Sequence, residues 1–221
     1  MNNLTLRVVS AAVLAPIAIY AAYLGGWVFA VFWAAAAVAV LWEWVKLVKG
    51  SGWMVAGIFY AGVLLMAPLV LRHDAELGFL AMILLFAVVW TTDVFAYFAG
   101  RAIGGPKLLP AVSPKKTWSG AVVGTAGAMV AAVLVANLFG SFNRTAIAAI
   151  ALLLSVMSQL GDLLESWIKR RFGAKDASQL IPGHGGVMDR LDGFWAAALV
   201  ACLIGLLRGG FDGATRGLLV W

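Results

Sequence analysis

Charge is scarce in this chain. Asp, Glu, Lys and Arg make up 12% of its 221 residues, whereas soluble domains carry about 25%. Apolar residues make up 63%, and the mean hydropathy is +0.97. This composition excludes an ordinary soluble domain and predicts an integral membrane protein. No Pro/Ser-rich linker or soluble-looking block interrupts the sequence, so we expect one polytopic domain over residues 1–221.

Cysteine is almost absent as well, since Cys202 is the only one and lies inside an apolar segment. A single cysteine excludes an intramolecular disulfide and a cysteine-based metal site. The net charge is +6, but no polar domain carries this excess. The basic residues instead flank apolar spans. Their placement argues against nucleic acid and favours anionic lipid head groups or a nucleotide polyphosphate as partners.

Seven apolar stretches are long enough to cross a bilayer as helices. They cover about residues 6–24, 27–45, 53–71, 78–99, 119–138, 145–165 and 193–207. The expected fold is therefore all-α, a polytopic membrane protein of about seven transmembrane helices. Residues 1–76 form the N-terminal spans, and residues 77–221 contain the remaining spans and the long polar loops. Residues 208–221 are expected to form a short interfacial segment.

The placement of Lys and Arg predicts the orientation, because cytoplasmic loops of membrane proteins are enriched in these residues. With seven spans, the N-terminus and the loops after spans two, four and six share one side. That side holds twelve of the sixteen Lys and Arg residues. We expect it to face the cytoplasm of a bacterial-type inner (plasma) membrane, with the N-terminus inside, the C-terminus outside and both long polar loops in the cytoplasm.

The most informative polar region runs from Asp162 to Asp192, between spans six and seven. On a helix, residues three and four apart share one face. The stripe formed in this way consists of Asp162, Glu165, Ser166, Lys169 and Arg170. Asp189 and Asp192 share a face if the helix of span seven starts near Val187. Since Mg²⁺ prefers carboxylate, water and phosphate oxygens, the sequence offers Asp162, Asp189 and Asp192 as its ligands.

The cations and glycines of this region suit phosphate groups. Lys169, Arg170, Lys175 and Arg190 can neutralise phosphates, and the glycine-rich turn from Gly183 to Gly186, which includes Gly185, lets the backbone approach them closely. The simpler alternative is a set of ordinary loop charges fixed by membrane topology. His184 is either a hydrogen-bonded loop residue or a group that handles phosphate or protons.

Two carboxylates lie close to or inside apolar spans, where an unpaired charge is costly. Asp162 is near the cytoplasmic end of span six, and Asp93 lies in span four at a matching depth. Their depths predict a shared polar cavity.

A second polar loop separates spans four and five and carries Arg101 and Lys116. Ser113 or Thr117 is expected to cap the helix that follows, and Pro114 prevents the chain from continuing as a helix before it. The alternative to phosphate binding is a basic interfacial loop anchored by Trp118.

At these residues the sequence resembles the phosphatidate cytidylyltransferase family, also called CDP-diacylglycerol synthase. The family signature reads Ser-x2-Lys-Arg-x4-Lys-Asp-x-small-x2-apolar-(Pro/Gly/Ser)-x-His-Gly-Gly-x2-Asp-Arg-x-Asp. It lies without a gap on Ser166, Lys169, Arg170, Lys175, Asp176, Ser178, Ile181, Pro182, His184, Gly185, Gly186, Asp189, Arg190 and Asp192. Two further segments also resemble the family, at residues 113–120 and 158–166.

The resemblance implies transfer of a cytidylyl group from CTP to phosphatidate, giving CDP-diacylglycerol and pyrophosphate. It implies Mg²⁺ on Asp162, Asp189 and Asp192, and it leaves open a second, monovalent cation and a homodimer. The catalytic residues expected from it are Asp162, Lys169, Arg170, Asp189, Arg190 and Asp192. The substrate-binding residues expected from it are Arg101, Ser113, Lys116, Thr117, Ser166, Lys175, His184, Gly185 and Gly186. The chain departs from the family at residues 93–98, where it has Asp-Val-Phe-Ala-Tyr-Phe in place of Asp-Thr-Gly-Ala-Tyr-Phe.

Two other functions compete with this interpretation. A CTP-dependent polyprenol or phytol kinase would transfer the terminal phosphoryl group of CTP to an alcohol. A cation transporter would use the intramembrane acids, but transporters place such groups near the midplane, whereas these acids cluster at one face.

Overall fold

A computed structural model describes residues 3–50, 52–181 and 185–221, with side chains from Ala12 onward. This part of the chain contains eight helices and one antiparallel hairpin. They are α1 (Asn3–Leu24), α2 (Gly26–Val48), α3 (Met54–Arg72), α4 (Gly78–Ala102), β1 (Lys107–Leu109), β2 (Ser113–Thr117), α5 (Trp118–Phe139), α6 (Arg144–Arg171), α7 (Met188–Gly209) and α8 (Ala214–Leu219). In the hairpin, Lys107 pairs with Thr117 and Leu109 with Ser113. The all-α prediction is confirmed.

Six helices, α2 to α7, are long and apolar enough to cross a membrane. They coincide with the second to seventh predicted spans. The first predicted span falls on α1, whose described side chains form a shorter apolar segment, Ala12–Leu24. Large apolar side chains cover the outer faces of the helices, and Leu138 and Leu207 are more than 80% exposed. Lipid chains are the natural solvent for such faces, and the chain is a multi-pass membrane protein.

Two helices extend beyond their predicted spans. Helix α6 continues past residue 165 to Arg171, and α7 starts at Met188 instead of residue 193. Hydropathy detects only the part of a helix that lies in lipid, and polar turns continuing into water carry no apolar signal. The extensions matter because they place both ends of the family signature on helices.

Helices α4 and α5 approach closely because α5 presents small residues at every fourth position. Its buried stripe consists of Gly120, Gly124, Ala128, Ala132 and Ala136. A Cβ atom at Gly124 would lie 2.7 Å from the carbonyl oxygen of Thr92 on α4. Without a hydrophobic driving force between helices in lipid, such backbone contact is what holds the pair together.

The N-terminal helices pack on α7 through aromatic rings. Trp195 of α7 stacks on Tyr60 of α3 with ring centroids 4.5 Å apart, and its indole Nε1 donates to the Tyr60 carbonyl at 2.9 Å. Phe194 stacks on Trp33 of α2 at 4.7 Å. Residues on both sides of position 76 therefore share one core, while the domain bounds themselves stay a prediction.

At the opposite end of the bundle from the signature, the α3–α4 loop is tied to α8. Asp74 accepts hydrogen bonds from the backbone N–H groups of Glu76 and Leu77 at 2.9 Å each, and Arg216 pairs with it at 2.8 Å. Partial burial raises the pKa of the Asp74 carboxyl, but the Leu77 and Glu76 amides and the Arg216 guanidinium together outweigh it. They hold the pKa of Asp74 below its ordinary value.

We predict that Asp74→Ala lowers the free energy of unfolding by about 1 kcal/mol at pH 7, since it removes an amide cap and an ion pair. A carboxyl with a lowered folded-state pKa stabilises the protein above its unfolded pKa of about 4. That contribution is lost as the pH falls through the folded-state pKa. Unfolding in detergent should therefore show the full stability difference between variant and wild type at pH 7, and this difference should shrink as the pH falls below about 4. A stability difference that stays the same as the pH is lowered would contradict the assignment.

Candidate active site

A polar cavity of about 630 Å³ opens where α4 and α6 end and α7 begins. The hairpin forms another part of its wall. Side chains of both charges line it, and they are Asp93, Arg101, Lys107, Lys115, Lys116, Asp162, Lys169, Asp176, Asp189, Arg190 and Asp192. The prediction that Asp93 and Asp162 share one polar cavity is confirmed.

The cavity exists because α6 and α7 cross at two glycines. A Cβ atom at Gly161 would lie 2.6 Å from the carbonyl oxygen of Asp192, and one at Gly193 would lie 2.5 Å from Ser158 Oγ. A larger residue at either position would push the helices apart. The aspartates next to these glycines, Asp162 and Asp192, consequently open onto the same space.

One buried ammonium joins the two helices. Lys169 Nζ of α6 lies 2.6 Å from Glu165 Oε2 and forms a second ion pair with Asp189 Oδ1 of α7. The other Asp189 oxygen accepts from the backbone N–H groups of Ala177 at 2.9 Å and Gly186 at 2.7 Å. Buried charges are stable only when paired and hydrogen-bonded. Here the Lys169 ammonium neutralises the carboxylates of Glu165 and Asp189, and two backbone amides stabilise Asp189 further.

Strand β2 brings a second cation to the cavity. Lys116 pairs with Asp162, and Ser166 Oγ donates to the same carboxylate at 3.4 Å. The next residue, Thr117, accepts the Gly120 N–H at 3.2 Å and caps α5, so of the two predicted caps, Ser113 and Thr117, the structure has Thr117. The turn from strand to helix therefore fixes where Lys116 points.

The donor set fits Mg²⁺ only in part. Among the residues that the structure describes, no group of three or more Asp, Glu, His or Cys side chains is close enough to hold a metal ion by itself. Mg²⁺ often takes one or two carboxylates and completes its octahedron with water and substrate phosphates. Asp192 suits that role, since only one of its oxygens accepts a hydrogen bond among the described residues. Asp162 and Asp189 each have both oxygens engaged, so their predicted places as ligands stay predictions.

The other predicted site residues divide into two groups. Arg101, Lys116, Thr117 and Arg190 line the cavity, and Arg101 donates to Tyr97 Oη at 3.4 Å. The predicted residues outside the described lining are Ser113, Ser166, Arg170, Lys175, Gly185 and Gly186. His184 falls outside the described residues.

Gly185 and Gly186 approach carboxylates of the protein itself. Gly185 has φ +85°, and a Cβ there would lie 2.8 Å from Asp189 Oδ2. Only glycine adopts that backbone region at no steric cost. In this structure Gly185 therefore leaves room for the Asp189 side chain.

Comparison with known proteins agrees with this geometry. Residues 49–207 match the cytidylyltransferase family. A protein of Brucella abortus named phosphatidate cytidylyltransferase is 40% identical over 256 aligned positions, which cover 94% of this chain and 95% of that protein. The chain belongs to the cytidylyltransferase family. Two more proteins of that name are also similar, from Rickettsia bellii (36% identity, 86% of each chain) and Haemophilus influenzae (44% identity, 63% of this chain and 50% of that protein).

Sequence reasoning missed several groups in the site of this cytidylyltransferase family member. Lys107 and Lys115 line the cavity because residues 107–117 form a hairpin, which a short basic loop does not reveal. Gln159 also lines it and donates to Thr125 Oγ1 at 3.0 Å, while Thr125 accepts from Ser155 Oγ at 3.1 Å. Ser155 and Gln159 lie one helical turn apart on α6, a spacing that was readable in the sequence.

We predict that Lys169→Met lowers the free energy of unfolding by about 3 kcal/mol, because it leaves Glu165 and Asp189 buried without a cation. Lys175→Met is the matched control, since Lys175 is exposed and lies outside the described cavity lining. Thermal unfolding in detergent measures both variants. Equal stability of Lys169→Met and wild type would contradict the pairing.

Proposed function

We propose that this protein transfers a cytidylyl group from CTP to phosphatidate, releasing CDP-diacylglycerol and pyrophosphate. The observation that carries the proposal is one cavity at the end of a membrane bundle in which five carboxylates face six cations. A lipid phosphate and a nucleotide triphosphate can meet there while the lipid chains stay in the bilayer. Membership of the cytidylyltransferase family supports the same reaction.

The chemistry needs no strong base, since a phosphate monoester near neutral pH is already an anionic nucleophile. An oxygen of the phosphatidate phosphate attacks the α-phosphorus of CTP and forms a new P–O bond. The bond from that phosphorus to the oxygen bridging the α- and β-phosphates breaks, and its electron pair leaves with pyrophosphate. The difficulty is bringing two polyanions together, so catalysis consists mostly of positioning and charge neutralisation.

The cations divide into two roles in this proposal. Lys107, Lys115 and Arg190 form no ion pair among the described side chains, and they receive the triphosphate and the departing pyrophosphate. Arg101 and Lys116 receive the lipid phosphate or the nucleotide. Lys169 is neutralised by two carboxylates, so its role is to hold Asp189 in place. The exposed Arg170 and Lys175 act from the rim of the site.

Mg²⁺ is the cofactor of this proposal, held by Asp162 and Asp192 with phosphate oxygens and water. When bound, it neutralises charge on the phosphate oxygens. Asp192 Oδ1 accepts the Gly193 N–H at 2.7 Å, which orients the carboxylate and leaves its other oxygen for a ligand.

Purified protein with phosphatidate, Mg²⁺ and CTP labelled at the α-phosphate should transfer the label into lipid and release an equal amount of pyrophosphate. Adding a chelator should abolish transfer, because two polyanions then meet without a divalent cation. Asp192→Asn should lower the rate at least about tenfold and raise the Mg²⁺ concentration needed for half-maximal transfer.

The label position also tests the kinase alternative. Transfer from γ-labelled CTP to an added polyprenol, with no α-label in lipid, would replace this proposal by a CTP-dependent kinase. Glu76→Gln, an exposed acid-to-amide change at the opposite end of the bundle, serves as the control for expression and folding in the same assay.

We propose that the cavity faces the cytoplasm of the inner (plasma) membrane, with the N-terminus inside and the C-terminus outside. The supporting observation is the clustering of basic side chains at the cavity end of the bundle, where the positive-inside rule expects them. CTP is also a cytoplasmic substrate.

Single cysteines test this orientation in a Cys202→Ala background. A membrane-impermeant maleimide should label Glu76→Cys in intact cells, since Glu76 is exposed in the α3–α4 loop at the other end. Lys175→Cys should react only after the cells are permeabilised. The reverse pattern would contradict the proposed orientation.

A further inference from the structure

One carboxylate of the N-terminal region reaches the signature segment. Glu43 lies near the end of α2, is 0% exposed and accepts three hydrogen bonds. Ser178 Oγ donates to its Oε1 at 2.5 Å, the Val187 N–H donates to the same oxygen at 2.8 Å, and the Met188 N–H donates to Oε2 at 2.7 Å.

These contacts occupy the start of α7. The first N–H groups of a helix lack partners inside the helix, and an anion there also interacts favourably with the helix dipole. The N-cap residue of α7, Val187, makes no side-chain capping hydrogen bond. Glu43, 145 positions before Met188, supplies that cap from another helix.

The same carboxylate contacts residues on both sides of the family signature's glycines. It accepts from Ser178 before them and from Val187 after them, and Leu180 N–H donates to Ser178 Oγ at 3.1 Å. At Gly186, a Cβ atom would lie 2.6 Å from Glu43 Oε1. Glycine at this position therefore allows the carboxylate to reach the amides of the next two residues.

Packing alone does not explain an acid at position 43. A buried carboxylate is costly unless it is paired or hydrogen-bonded, and no Lys, Arg or His among the described residues forms an ion pair with Glu43. An apolar side chain of similar size would fill the space without that cost. We therefore infer that the carboxylate at position 43 serves to bind these three hydrogen-bond donors.

We propose that Glu43 is a positioning residue for nucleotide binding: it holds Ser178, Val187 and Met188 and thereby orients the start of α7, which carries Asp189, Arg190 and Asp192. This inference rests on the proposed cytidylyl transfer. Glu43 precedes the residues that match the family, 49–207, and it does not belong to the described cavity lining. It acts on the site only through the backbone that it holds.

The kinetic test compares Glu43→Ala, Glu43→Gln and Ser178→Ala with wild type. Glu43→Ala should lower kcat/KM for CTP about 10- to 100-fold, as loss of supporting contacts around a site does, with a raised KM for CTP. Glu43→Gln keeps one acceptor oxygen, so its kcat/KM for CTP should fall less than that of Glu43→Ala. Ser178→Ala removes one of three contacts, so its kcat/KM for CTP should fall least of the three. Glu76→Gln, a matched acid-to-amide change at the opposite end, should leave both constants unchanged.

Reduced folding alone would lower the apparent kcat and leave KM for CTP at the wild-type value. A wild-type KM in Glu43→Ala and Glu43→Gln would therefore overturn the inference. If Glu43→Ala yields no folded protein, Glu43→Gln and Ser178→Ala decide, since each keeps part of the contact.

Amide hydrogen exchange tests the contact without any activity. In Glu43→Gln, the amides of Val187 and Met188 should exchange about tenfold faster than in wild type, while the middle of α7 stays protected. Unchanged exchange at these two amides would overturn the inference even if the enzyme transfers cytidylyl groups. The amides of Val187 and Met188 could exchange faster in Glu43→Gln even though the wild-type protein makes no CDP-diacylglycerol. That result would support the Glu43 contact and contradict the proposed function.

Discussion

The buried ammonium of Lys169, held between carboxylates of two helices, is the interaction on which the rest of the site depends. Glu165 belongs to the same helix as Lys169, while Asp189 opens the next helix. Without the cation, two carboxylates would be buried side by side and α6 and α7 would separate at their polar ends. With it, Asp189 can hold the amides of Ala177 and Gly186. These three charged groups thus join the two helices and hold the backbone at Ala177 and Gly186.

Two other features complete the arrangement around that pair. The glycine crossing at Gly161 and Gly193 brings Asp162 and Asp192 to one space, and the hairpin adds cations from the opposite wall. The N-terminal helices contribute indirectly, through aromatic stacking on α7 and through the carboxylate of Glu43. A site whose chemistry lies in the second half of the chain is therefore held in shape by the first half.

Hydropathy located the helices well because lipid demands long apolar segments with internally satisfied backbones. It missed the polar turns of α6 and α7 and the hairpin, since these lie outside the apolar spans and their order depends on contacts between distant residues. The signature residues were readable from their spacing, and the cavity does collect Lys116, Asp162, Lys169, Asp189, Arg190 and Asp192. The role of Glu43 could not be predicted from the sequence. It is a single acid between two tryptophans on an apolar helix, and its partners, Ser178, Val187 and Met188, are more than 130 positions away along the chain.

An experimental structure with a non-hydrolysable CTP analogue and Mg²⁺ would show whether the cavity between the hairpin and the start of α7 binds the triphosphate of CTP. We expect phosphate oxygens within hydrogen-bonding distance of Arg190 and of the hairpin lysines, with the metal between Asp162 and Asp192. A nucleotide bound elsewhere on the protein, with only solvent in the cavity, would show that the triphosphate site proposed here is wrong.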